Sequence, residues 1–191
     1  NDDAGTLLRS VLEGEGIDTS HLRTVSVPTG RAFINVDSHG ENEIVVVAGA
    51  NAQVGVEDKF VIPNSRVVLA QLEVPLETIE MAFTQARSNG AVTVLNPAPA
   101  RDIPASLLSL ANIVVPNETE SVAIGGTKQL LNSGVATVVT TLGADGASID
   151  TATSTAHIAP YKVTPVDTVG AGDAFIGATC AELSRGSSIE D

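Results

Sequence analysis

From Val67 onward, short β-prone runs alternate with helical stretches, and that alternation leaves few architectures open to the chain. The spacing predicts strand Val67 to Leu72, helix Pro75 to Ser88, strand Val92 to Leu95, helix Pro104 to Leu110 and strand Ile113 to Val115. A helical stretch from Glu118 to Asn132 follows, then strand Ala136 to Thr141, short strands near Ala147 to Ile149 and His157 to Ala159, and a last helix from Ala174 to Ser184. Strands joined through helices pair in parallel by right-handed crossovers. The expected fold is therefore α/β, a Rossmann-like, mostly parallel sheet sandwiched by helices. Ligands of such sheets bind at the carboxyl ends of the strands. Glu73, Asn96, Asn117, Glu120 and the Gly143 to Gly146 turn all fall there, so they are expected to converge on one cleft.

Ahead of this series the pattern differs. Asp3 is placed to cap a helix from Ala4 to Leu12, ended by Gly14, Gly16 and Asp18. Phe33 to Val36 and Ile44 to Val47 are β-prone runs around a polar turn that holds His39, which is expected to be solvated; together they predict a small hairpin standing off the core. The expected division is an α/β core from 1–23 and 63–191, with 24–62 as a β lid and its connection.

Lys and Arg number 10 against 23 Asp and Glu, a formal charge of −13, which argues against nucleic acid or an anionic membrane as partner. No apolar run approaches the ~20 residues that span a bilayer. One cysteine, Cys180, excludes an internal disulfide and suits a cytoplasmic setting; its place on an apolar helix reads as core. An anionic ligand must then be held locally, by backbone N–H groups, a helix N-terminus or a bound cation.

Asp167-Thr-Val-Gly-Ala-Gly-Asp-Ala-Phe175 meets that need. Gly170, Ala171 and Gly172 can turn their N–H groups into one concavity at a helix start, and Asp173 in the first turn can take a proton from a hydroxyl beside a phosphate held there. The same letters also make an ordinary tight turn with an acidic residue favoured by the helix dipole. Asn117 and Glu120, three apart on one helical face, can hold Mg²⁺ through waters, or form a capping box. Thr141-Leu-Gly-Ala-Asp-Gly146 ends a strand in a turn that a nucleotide can approach closely, or is plain turn chemistry. Glu73 can accept sugar hydroxyls, or be the polar end of a strand. Asn96 can line the cleft, with Arg101 structural, and Asp167 can coordinate a cation.

These motifs, in this order, resemble the ribokinase-like, phosphofructokinase-B carbohydrate kinases. Thr29-Gly-Arg-Ala32, Gly40-Glu-Asn42, Ala48-Gly-Ala-Asn51, Gln71-Leu-Glu73, Asn96-Pro-Ala-Pro-Ala-Arg101, Pro116-Asn-Glu-Thr-Glu120, Thr141-Leu-Gly143 and Asp167 to Phe175 carry the likeness across nearly the whole chain. They are closer to the ribose-phosphorylating branch than to the fructokinase or adenosine kinase branches. The resemblance implies transfer of the ATP γ-phosphate to the 5-hydroxyl of D-ribose. It implies Asp173 as base, and Gly170, Ala171 and Gly172 as the anion hole. Glu73, Ala32 and Val46 would face the sugar. The ATP site would comprise Asn117, Thr141, Leu142, Gly143, Ala144, Asp145, Gly146, Gly172 and Asp173. Mg²⁺ would sit by Asn117 and Glu120, and an activating K⁺ by Asp167 and the carbonyl of Val169. The hairpin would be a sugar lid and the contact of a homodimer. Against the family pattern the chain reads as a fragment without its N-terminal third and C-terminal segment. Gly125-Gly126 then marks either a deletion or ends joined across a missing segment. The alternatives are another sugar or nucleoside kinase of the family, such as a fructokinase or deoxyribokinase, and a sugar- or nucleotide-binding protein without turnover.

Overall fold

The computed structural model describes residues 2–36, 42–55, 62–166 and 168–190. They divide into two compact units, Asn1–Lys59 with Glu73–Pro75, and Phe60–Leu72 with Leu76–Asp191. His39 and Asp167 lie outside the described residues.

In the first unit, helix α1 spans Asp3–Gly14, and its cap is Asp2 rather than the expected Asp3. The reason is non-local. The Asp2 carboxylate accepts from the Gly5 amide at 2.9 Å, from the Thr29 hydroxyl at 2.6 Å and from the Thr29 amide at 2.9 Å, so one side chain closes the helix start and ties it to the base of the hairpin. This tie groups α1 with the hairpin segment. The hairpin itself is β1 (Arg31–Val36) paired antiparallel with β2 (Asn42–Val47), and Ala32 stands directly opposite Val46. At its base Gly49 has φ +53, and a Cβ there would lie 2.5 Å from the Pro28 carbonyl oxygen, so only glycine lets these two backbones meet.

The Thr29 hydroxyl, with the amides of Gly5 and Thr29, holds the Asp2 carboxyl well below the usual carboxylate range. A carboxyl depressed in the folded state contributes stability above its unfolded pKa and loses it as pH falls through the folded value. The melting temperature of Asp2→Asn is therefore expected to trail the parent above about pH 4 and to close on it in stronger acid. A gap that widens on acidification would overturn this.

The second unit holds a six-stranded sheet in the order β3 (Val67–Ala70), β4 (Val92–Leu95), β5 (Ile113–Val114), β6 (Thr137–Thr141), β7 (Ala147–Thr151), β8 (Thr155–Ile158). The first three pairings are parallel, and the last two antiparallel. Helices α2 (Leu76–Ser88), α3 (Ala105–Leu110), α4 (Glu118–Ala123) and α5 (Thr127–Asn132) connect the parallel strands. With strands in sequential order, right-handed crossovers bring these helices to one face. The other face is covered by α6 (Ala171–Arg185), whose Ile176, Cys180 and Leu183 pack against Val94, Ile113, Val115 and Val139. Val94 and Leu95 point to opposite faces and are both fully buried, as a central parallel strand requires. Cys180 is half-buried against that core, and burial pushes its thiol up. Among the described residues, no helix is long and apolar enough to cross a membrane.

The expected helix from Glu118 to Asn132 is two helices. Gly125 and Gly126, at φ +97 and +83, turn the chain between them, and the Gly126 amide bonds back to the Ser121 carbonyl at 2.7 Å. One flaw sits nearby in the sheet. Thr140, 7% exposed, has a buried hydroxyl without a hydrogen-bond partner among the described residues. An orphaned polar group costs about 1–3 kcal/mol. Thr140→Val should thus raise the urea midpoint at unchanged slope, by about 1 kcal/mol of stability; a lowered midpoint would refute it.

Candidate active site

The cleft is assembled by ladder bonds that run on past the ends of the strands. The Asn96 amide bonds to the Ala70 carbonyl at 2.9 Å, Val115 to Leu95 at 2.9 Å, and Thr141 to Pro116 at 3.0 Å. Asn117 and Thr141 form an isolated parallel bridge. These bonds carry Asn96, Val115, Asn117 and Thr141 to one edge of the sheet. There they line a cleft of about 150 Å³ together with Ala98, Glu120, Gly170, Gly172, Asp173 and Ile176. The Asn96 side chain is fixed by its own bond to the Val115 carbonyl at 2.9 Å.

Asp173 enters from α6. Gly170 takes the left-handed conformation at the cap, φ +74, and the chain turns into the helix there, three residues earlier than expected. Asp173 is then the third helical residue. The Ala171 amide already donates to the Thr168 carbonyl at 3.1 Å. The next two amides, of Gly172 and Asp173, belong to the first turn, whose N–H groups have no partner inside the helix. They are the donors that this geometry offers to an anion, reinforced by the positive end of the helix.

Asn117 and Glu120 form a complete capping box. The Asn117 side-chain oxygen accepts from the Glu120 amide at 2.8 Å, and the Glu120 Oε2 accepts from the Asn117 amide at 2.9 Å. Those bonds leave the second carboxylate oxygen of Glu120 and the Asn117 side-chain NH₂ for other work. No three His, Cys, Asp or Glu side chains gather to enclose a metal among the described residues. Mg²⁺ does not need such a cage, since it keeps several waters and takes one or two carboxylates, and the remaining oxygen of Glu120 fits that mode.

Thr141 lines the cleft, while residues 142–146 form a tight turn beyond it. The Leu142 amide bonds to the Gly146 carbonyl at 2.8 Å, and the Asp145 amide to the Leu142 carbonyl at 3.0 Å. Gly143–Asp145 is a single 3₁₀ turn. A second cleft, of about 260 Å³, opens toward β3 and is lined by Leu69, Ala70, Gln71, Asn96, Asp173 and Ile176. Asn96, Asp173 and Ile176 are common to both clefts, so Asp173 stands on the wall between them.

Of the sequence candidates, Asn117, Glu120, Thr141, Gly170, Gly172 and Asp173 come together. Glu73 is exposed in the turn after β3 and groups with the first unit, as do Ala32 and Val46. Val169 is exposed in the turn before α6. Val115 and Ile176 are cleft residues that the sequence did not point out, because apolar residues at a strand end or on a helix read as core, and Ala98 joins them from the loop after β4.

The profile of the pfkB family carbohydrate kinases matches residues 1–191. The chain is 44% identical over 186 residues to the ribokinase of Staphylococcus aureus (strain COL), a match covering 88% of this chain and 61% of that protein. The chain thus spans less than two thirds of that relative. The crystal structure of ribokinase from Thermotoga maritima superimposes with a TM-score of 0.86 at 33% identity, covering 100% of this chain and 67% of that one. The structure of Arabidopsis thaliana ribokinase complexed with ribose and ATP gives 0.86 at 27% identity, with coverage of 100% and 68%. Motifs, fold and profile agree, and the chain belongs to the pfkB family of carbohydrate kinases.

Proposed function

We propose that this chain carries the phosphoryl-transfer centre of an ATP-dependent sugar kinase that converts D-ribose to ribose 5-phosphate. The observation that carries the reading is the place of Asp173, on the wall shared by two clefts, beside first-turn amides that have no partner inside the helix. A base so placed can face an acceptor hydroxyl on one side and a phosphate on the other. Asp173 takes the proton of the sugar 5-hydroxyl as its oxygen attacks the γ-phosphorus, and the bond from that phosphorus to the ADP oxygen breaks. The amides of Gly172 and Asp173 receive the charge that spreads over the transferring group, with Gly170 and Ala171 shaping the turn.

Asn117, Thr141 and the 142–146 turn hold the nucleotide. Glu120 would hold Mg²⁺ through water, and the bound ion would neutralise phosphate charge. Asp167 and the Val169 carbonyl would bind an activating K⁺. Glu73, Ala32 and Val46 contact the sugar, the β1–β2 hairpin acts as a lid, and its exposed Phe33, Ile34, Val45 and Val46 support pairing of two copies. A cytoplasmic setting suits a kinase that draws on ATP. The likeness to proteins named ribokinase supports ribose over other sugars.

A coupled ADP-release assay on the full-length protein tests this with ribose, deoxyribose, fructose and adenosine, with and without K⁺. Release strongest with ribose and raised by K⁺ is the expected result. Stronger release with another acceptor would replace the substrate, and none with any of them would leave a binding protein without turnover.

A further inference from the structure

We propose that His157 is a positioning residue for the nucleotide-facing turn 142–146, an inference that rests on the kinase reading above. The His157 ring on β8 places Nε2 2.8 Å from the Asp145 carbonyl oxygen. β8 reaches the turn because its register pairs His157 with Ser148 and Ile158 with Ala147, the residue that follows the turn. The turn's internal bonds use the carbonyls of Leu142, Gly143 and Gly146. They do not use that of Asp145. His157 takes up this oxygen, and so fixes the peptide plane between Asp145 and Gly146.

A carbonyl only accepts, so Nε2 must carry the proton, and the neutral ring is held as the Nε2–H tautomer with Nδ1 left as an acceptor. The ring is exposed, so it contributes little to the core and its bond acts on the turn alone. The turn is thereby held from three strands, by β6 and β7 through the chain and by β8 through a side chain. The orientation of its backbone groups toward a nucleotide depends on the hold from β8.

Loss of one neutral hydrogen bond supports roughly a five-fold effect. In the full-length protein, His157→Ala is expected to raise the KM for ATP about five-fold, leaving kcat and the sugar KM nearly unchanged. Glutamine carries an amide nitrogen as many bonds from Cα as Nε2 is, so His157→Gln is expected to restore most of the ATP affinity. Nitrogen-15 NMR of the parent should show the ring as the Nε2–H tautomer. Should His157→Ala fail to fold, His157→Asn, polar but too short to reach, is read in its place with the same expectation. Parent-like ATP KM in the truncated variant, no recovery with glutamine, or an Nδ1–H ring in the parent would each overturn the assignment. A parent without ATP turnover overturns the kinase reading and this inference together. A parent with turnover that His157→Ala leaves untouched overturns the inference alone.

Discussion

Asp173→Asn is expected to fold as the parent does and to lose turnover by about 10²- to 10⁴-fold, the range that a positioned general base contributes. An amide matches the carboxylate in size but takes no proton, so the variant removes the chemistry and leaves the shape. The stability cost should be small. Asp173 is exposed in the first turn of α6, and a negative charge there gains less than about 1 kcal/mol from the helix end. Nucleotide binding should survive, because Asn117, Thr141 and the first-turn amides remain. The decisive measurement is kcat beside a melting curve. A variant that melts with the parent and keeps a tenth of its rate would remove Asp173 from the role of base.

Gly146→Ala should be the most damaging single-methyl change in the second unit. Gly146 has φ +90, and a Cβ on it would lie 2.0 Å from the Ile158 carbonyl oxygen and 3.0 Å from the Pro160 nitrogen. Both atoms that would have to move are backbone, one at the end of β8 and one just beyond it. Backbone strain in such a region costs about 1–3 kcal/mol before any clash is counted, so a loss of roughly 3 kcal/mol or more is expected. Gly143→Ala is the control. Gly143 has φ +56 with nothing within 4 Å of an added Cβ, so its cost should stay near the ~1–2 kcal/mol of a left-handed non-glycine residue. Urea midpoints of the two variants decide the matter. Equal, small losses would mean that the turn does not press on β8.

The order of strands and helices in the second unit was legible because burial on both faces leaves a mark in single residues. Val92 to Leu95 is a continuous apolar and β-branched run, and the strand has those bounds. The turn at Gly170 was legible because a left-handed conformation needs glycine. What could not be read depends on neighbours far along the chain. Asp2 and Asp3 are the same residue type, and the choice between them as cap is made by Thr29, 27 residues away. Val115 and Ile176 become cleft residues only once β5 and α6 meet across the sheet. The expected strand Val67 to Leu72 stops at Ala70, after which the Leu72 amide turns to the Ala98 carbonyl, a partner fixed by the loop after β4. Gly125-Gly126 was visible as an interruption. The two-helix turn that it makes is set by torsion angles that only the folded chain reveals.

The capping box at Asn117 and Glu120 has a consequence for how this position can change over time. One oxygen of Glu120 holds the start of α4, and the residue also lines the cleft, so under the kinase reading proposed above a single carboxylate serves both architecture and chemistry. On that reading a lineage that drifts at this position would lose both at once, since a shorter side chain withdraws from the backbone and from the proposed ion site alike. A second mutation would have to rebuild a helix cap and a ligand together, which closes most stepwise routes. Selection at residue 120 would then be stricter than either duty imposes by itself.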